Sequence, residues 1–134
     1  MLNGIPLDII KYNIFPKLDL ISQIRLRQVS KFFYNNLDIT NLYDIHNKYN
    51  SKLMDEIIKK YPKLVKLDAW NNSKITNISH LKNLKILDAG GWNCGISDVH
   101  LIGLNLVELS VWNNSRITEK MKLELKNKGC KIID

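Results

Sequence analysis

From Leu64 onward the apolar residues fall at positions one, four and six of a recurring stretch, which continues with an asparagine and a β-branched residue: Leu64, Leu67, Ala69, Asn72, Ile75. The pattern returns at Leu84, Leu87, Ala89, Asn93, Ile96, one residue longer through Gly90-Gly91-Trp92, and again at Leu106, Leu109, Val111, Asn114, Ile117. A degenerate copy runs Leu42, Ile45, Asn47, Asn50, Leu53, and a broken one opens at Cys130 and Ile133. The starts at Leu42, Leu64, Leu84, Leu106 and Cys130 are 22, 20, 22 and 24 residues apart. Positions one, four and six cannot all share one face of a lone strand or helix, so each unit needs neighbours. A short strand at positions three to seven, a tight turn and a return segment would be covered only by stacking on the next unit. The turn would leave backbone groups unpaired, at about 1–3 kcal/mol each when buried, and a buried amide can both donate and accept there. Asn50, Asn72, Asn93 and Asn114 are therefore expected to form a ladder.

Ahead of the repeats the periodicity is helical. Pro6 with Asp8 predicts a helix start, and Pro16 a stop by Phe15. Asp19 is placed to cap a second helix through Leu20, Ile21, Ile24 and Arg25, and Ser30 a third carrying Phe32, Phe33 and Leu37. Lys52 to Tyr61 reads as an amphipathic helix stopped by Pro62. Asn77–Leu81 and Ser97–Leu101 predict one-turn or 3₁₀ connections, and Thr118–Lys128 a helix closed by Gly129. The strand that follows, from Cys130, has nothing after it to cover its edge.

The repeat spacing resembles that of leucine-rich repeats, over roughly Asn41 to the C-terminus. The N-terminal residues carry a second resemblance. Ile5-Pro6, Asp8-Ile9-Ile10, Ile14-Phe15, Leu18-Asp19-Leu20 and Leu26-Arg27-Gln28-Val29-Ser30-Lys31-Phe32-Phe33 look like an F-box. The stretch from Pro6 to Phe15 is one residue longer than the common form, and Phe33 stands where that family usually has tryptophan. Together the resemblances imply an α/β protein: a short right-handed leucine-rich-repeat solenoid of about four repeats with parallel strands (residues 41–134), capped N-terminally by a three-helix F-box (residues 1–40). They further imply a substrate-recognition adaptor of a cullin-type ubiquitin ligase, monomeric within the complex. The F-box would bind a Skp-family adaptor through Ile5, Pro6, Ile9, Ile10, Phe15, Val29 and Phe33, and the repeats would hold a target protein. The alternative is a free-standing repeat module that sequesters a partner without recruiting a ligase.

At 134 residues the chain has room for one compact domain, or one with a short appendage. The net charge of +7 raises nucleic acid as a partner. The excess sits on scattered lysines such as Lys59, Lys60, Lys63, Lys120, Lys122, Lys126 and Lys128, which read as a solvated face, so no nucleic acid is expected. Neither a signal peptide nor a membrane span is legible, which points to a cytoplasmic or nuclear protein away from membranes. Cys94 and Cys130 make neither a disulfide framework nor a metal spacing. His46, His80 and His100 have no partner at ligand or triad spacing, and Gly90-Gly91 is not a phosphate loop. The expectation is therefore no enzyme, no cofactor and no metal.

Strand alternation sends positions three, five and seven outward in three rows: Asp44, Lys66, Ile86, Glu108; His46, Asp68, Asp88, Ser110; and Lys48, Trp70, Gly90, Trp112. Two strand spacings put Trp70 and Trp112 about 9.6 Å apart, with Gly90 as the floor of a slot. Asp68, Trp70, Asp88 and Trp112 are the expected target-binding residues. The slot would take an aliphatic or aromatic residue and the carboxylates a lysine or arginine, unless Trp92 folds over and fills the slot.

Overall fold

The computed structural model describes residues 4–43 and 47–134, and the chain divides into two compact units, Met1–Ile39 and Thr40–Asp134. In the first, α1 (Leu7–Ile9) widens into a π-helical turn (Ile10–Ile14) and tightens into a 3₁₀ turn (Phe15–Lys17). Pro16 sits at the start of that turn, where its missing N–H costs nothing. The second helix, α2 (Leu20–Gln28), begins where Asp19 Oδ1 accepts the Ser22 amide at 3.0 Å. The third, α3 (Lys31–Asn36), begins where Ser30 Oγ accepts the Phe33 amide at 3.2 Å. Gln23, a buried polar residue on α2, donates to the Leu18 carbonyl at 2.8 Å and so satisfies itself within the unit.

The second unit is α/β. Its elements are β1 (Asn41–Leu42), α4 (Asn47–Asn50), α5 (Asp55–Ile58), β2 (Lys66–Asp68), β3 (Ile86–Asp88), α6 (Asp98–Leu101), β4 (Glu108–Ser110), α7 (Glu119–Asn127) and β5 (Lys131–Ile133). The five strands form one parallel sheet in chain order, with Leu42, Leu67, Leu87, Leu109 and Ile132 in register. One side of the sheet is core. Leu64, Leu67, Ala69, Leu84, Leu87, Ala89 and Leu109 are at most 1% exposed, so the positions that the spacing marked as needing cover receive it. Gly129, at φ 89°, ends α7 by donating to the Lys126 carbonyl at 2.9 Å.

Three expectations change here. The first strand begins at Asn41, and Leu42 pairs with Leu67 where Leu64 was expected, because the Thr40 carbonyl accepts the Val65 and Lys66 amides at 2.7 and 3.1 Å. The outward row beginning Asp44 is thus replaced by Asn41, Lys66, Ile86, Glu108 and Lys131. Asp44, Ile45 and His46 lie outside the described residues. The helix expected over Lys52–Tyr61 shortens to α5, since the Leu53 carbonyl is taken by Asn72 Nδ2 and Asp55 turns to the neighbouring stretch. The connection at 77–81 is a turn, and that at 97–101 holds the single turn α6.

The asparagine ladder is also revised. Asn72 Nδ2 donates to the Asn50 and Leu53 carbonyls at 2.9 and 3.1 Å, and Asn114 Nδ2 to the Ala89 and Ile96 carbonyls at 2.7 and 3.0 Å. Between them the buried position belongs to Cys94, whose thiol donates to the Ala69 carbonyl at 3.5 Å, while Asn93 is exposed. Counting from the in-register leucines, Asn72 and Asn114 are five residues on; the one-residue insertion alone would bring Asn93, six residues on, to that place, but the turn through Gly90-Gly91-Trp92 runs one residue further and brings in Cys94, seven on. Burial raises the Cys94 thiol above its usual range, which keeps it a neutral donor.

A second ladder was not legible beforehand. The Asp55 carboxylate accepts from the Thr76 amide (2.8 Å), the Thr76 hydroxyl (2.6 Å) and the Asn77 amide (3.0 Å). Asp98 repeats the arrangement with the Thr118 amide and hydroxyl at 2.9 and 2.7 Å. Each latch ties the start of a short helix to the following stretch, 20 or 21 residues away. Burial pushes the Asp55 carboxyl up, but the Thr76 and Asn77 donors outweigh it and hold the group below the usual range.

Candidate interaction surfaces

On the first unit the seven residues expected to meet an adaptor separate into two groups. Ile5, Pro6, Ile9 and Val29 are exposed, Val29 to 68%. Ile10, Phe15 and Phe33 are 2%, 3% and 6% exposed and belong to the core of the chain. The reason is helical phase. Consecutive residues on these short helices point to different sides, so that Ile9 and Phe32 face out beside Ile10 and Phe33 facing in. Missing from the expected set are Tyr12, Ile14, Phe32 and Tyr34, all large and exposed. Phe32 meets Phe33 edge-on at 5.7 Å, and the Arg27 guanidinium lies 4.7 Å from the Tyr34 ring, which links α2 to α3. A phase count on Lys31–Asn36 anchored at the Ser30 cap would have separated Phe32 from Phe33.

The outward side of the sheet carries Asp68, Asp88 and Ser110 in one register row, with Trp70, Gly90 and Trp112 two residues past the ends of β2, β3 and β4. Asp68 Oδ1 accepts the Trp70 amide at 2.8 Å and Asp88 Oδ1 the Gly90 amide at 2.9 Å, so each carboxylate closes the turn that positions the residue beyond it. Burial raises the Asp88 carboxyl above its usual range, with the Gly90 amide and Ser110 hydroxyl opposing. Glu108 is paired with Lys131 at 3.1 Å on the adjacent strand.

The slot between the tryptophans does not exist. The Trp70 and Trp112 rings stack directly, with centroids 5.5 Å apart and planes 15° apart. Two strand spacings separate their backbones, but the Trp70 ring lies over Gly90, where no side chain keeps it from the Trp112 ring. A Cβ at Gly90 would stand 2.5 Å from Trp70 Cζ3. Trp92 fills nothing either, because its ring is 83% exposed on the inserted turn. It borders an open cavity of 630 Å³ with Val111, Asn113, Thr118 and Lys122, on the turn edge of the unit. A second cavity of 360 Å³ borders Trp70 with Asn71, Lys74 and Asn93.

Among the described residues no group of His, Cys, Asp and Glu could hold a metal ion, and no helix is long and apolar enough to cross a membrane. His100 Nδ1 accepts the Ser97 amide at 3.0 Å at the start of α6, a capping arrangement. No family model matches the sequence, and no curated protein or solved structure is significantly similar to it.

Proposed function

We propose that this chain is a recruitment adaptor without chemistry of its own: an F-box-like helical unit that binds a Skp-family adaptor of a cullin-type ubiquitin ligase, and a leucine-rich-repeat solenoid that holds the protein to be modified. The observation that carries the reading is the apolar surface of the first unit. Within Met1–Ile39 it leaves Ile5, Ile9, Tyr12, Ile14, Val29 and Phe32 between 38% and 68% exposed. Apolar surface on that scale in so small a unit is what a partner interface requires. The sequential parallel sheet and its Asn72, Cys94 and Asn114 bonds support the repeat half, since asparagine or cysteine at that position belongs to the repeat pattern.

The test is co-expression with a Skp-family adaptor. Pro6→Ala with Val29→Asp, both exposed, should remove co-purification, while circular dichroism and the melting transition stay unchanged. Undiminished co-purification of the folded variant would refute the assignment. One observation favours a second reading. Ile10, Phe15 and Phe33, three of the seven residues taken from the F-box pattern, are buried, as expected of a helical unit that no longer binds the adaptor. The chain would then be a free-standing module that sequesters its partner, and it would capture that partner with no adaptor retained.

A further inference from the structure

β5 is an edge strand of the sheet, and only half of its main chain is engaged. Lys131 donates to the Val107 carbonyl and the Ile133 carbonyl accepts the Val111 amide, each at 2.8 Å, so both residues turn their backbone groups toward β4. Alternation along the strand then turns the Ile132 N–H and C=O to the far side, where no strand pairs with them among the described residues. An exposed strand edge is a template for another chain, and native edges are commonly blunted by proline or by a charge standing in the way. β5 has no proline, and both charges at this edge are drawn back into the unit: Lys131 to Glu108 at 3.1 Å and Asp134 to Lys122 at 2.9 Å. The outward face beside the edge is apolar. Ile133 is 37% exposed, and Trp112, 53% exposed, has Trp70 on its β3 side and its other face turned toward β5.

We propose that β5 receives a sixth strand from a partner protein, laid parallel along its free edge. Only another backbone presents a carbonyl and an amide at the spacing that Ile132 requires, so the occupant is an extended polypeptide segment. Its side chains follow from the register. The partner residue beside Ile132 is aliphatic and faces inward, and the one beside Ile133 is aliphatic and faces outward. An acidic residue belongs beside Lys131, whose side chain is 70% exposed and is bonded on the β4 side, by Glu108. Two residues beyond the outward aliphatic comes an aromatic ring. It is rooted two strand spacings from Trp112, about 9.6 Å, the separation at which Trp70 already stacks on that residue. A second copy fits less well, because two β5 strands related by a two-fold axis through Ile132 set each Lys131 against the other's Ile133 and supply no acid. The inference rests on the reading that the repeat unit holds a protein partner.

The probe is an acetylated peptide reading glycine, glutamate, isoleucine, valine, threonine, tyrosine, glycine, titrated into the isotope-labelled full chain and followed by NMR. The expected result is a saturable shift of the Ile132 amide and the Trp112 indole N–H, slower hydrogen exchange at the Ile132 amide, and an unmoved Trp92 indole. N-methylation of the peptide's valine removes the amide that bonds the Ile132 carbonyl, keeps every side chain, and should abolish saturation. Trp112→Ala should weaken binding about tenfold and Lys131→Gln about threefold. Ile132→Pro removes the donor that the peptide needs, a donor that the sheet itself leaves free, and should also abolish binding. That variant loses an inward side chain as well, so its melting transition is measured, and the N-methylated peptide tests the same contact on the unaltered chain. Equal binding of the N-methylated peptide, a shift confined to Trp92, or no saturation by the parent peptide would overturn the proposal. So would a concentration-dependent dimer whose Ile132 amide is protected without peptide, which assigns the edge to a second copy. Adaptor co-purification is measured on the same preparation. Peptide binding without the adaptor would remove only the ligase reading, and adaptor binding without peptide binding only this site.

Discussion

The two units of this chain treat their large apolar residues in opposite ways. In Thr40–Asp134 the inward aliphatic positions repeat with the strands, and Leu67, Leu87 and Leu109 of β2, β3 and β4 are buried to within 1%. In Met1–Ile39 helices and turns of three to nine residues alternate sides too quickly for that, and Val29, Tyr12 and Phe32 are left outside. The difference teaches where to look for binding. Periodic stacking covers the inward positions of the repeat, and the apolar residues left exposed in the second unit, such as Trp112, Val107 and Ile102, stand outside those positions. In the first unit exposure is the general condition, so the surface as a whole is the candidate.

The sharpest way to break the comparison is one truncation in each unit. Leu87→Ala should lower stability by about 2–5 kcal/mol, because a fully packed leucine leaves a cavity. Val29→Ala should change it by less than about 0.5. Similar losses in urea denaturation would mean that exposure does not distinguish the units.

Next in size are the buried amides. Asn72→Ala and Asn114→Ala should each cost about 1–3 kcal/mol, since two carbonyls lose their donor. Asn93→Ala should cost little, and Cys94→Ala more than Asn93→Ala, which reverses the order expected from the asparagine spacing. The neighbours Asn71 and Asn113 are not neutral either. At φ 51° and 55° both are left-handed, so alanine should cost about 1 kcal/mol and glycine less. Thermal melts of Asn71→Ala and Asn71→Gly separate the two.

The smallest effects are in pH dependence. The Asp55 carboxyl is held below its ordinary value in the fold, so the stability it contributes is complete above about pH 3.9 and is lost as pH falls through the lower folded value. Asp55→Asn should remove that part of the acid transition. Asp88 has the opposite sign. Its folded value is raised, so its contribution favours the fold below about pH 3.9 and is lost as pH rises through the folded value. Asp88→Asn should therefore leave stability at neutral pH unchanged or slightly higher, in contrast to Asp55→Asn, and denaturation midpoints measured across pH check both signs.

By itself the sequence determined which residues must be covered and where helices start and stop. The spacing of Leu64, Leu67 and Ala69, the caps at Asp19 and Ser30 and the stop at Gly129 are local, and each depends on neighbours within a few residues. It also marked Trp70, Asp88 and Trp112 as outward-facing. Only the tertiary structure decided how stretches about twenty residues apart meet. The start of β1 at Asn41, Cys94 in place of Asn93, the Asp55 and Asp98 latches and the closure of the tryptophan stack all depend on register between strands. A register is set by the sum of many cross-strand bonds, and a single inserted residue shifts it. The stack adds a further step, because a backbone spacing of about 9.6 Å says where the rings are rooted and not where they lean. Gly90, by leaving empty the space that a Cβ would occupy, let the rings meet.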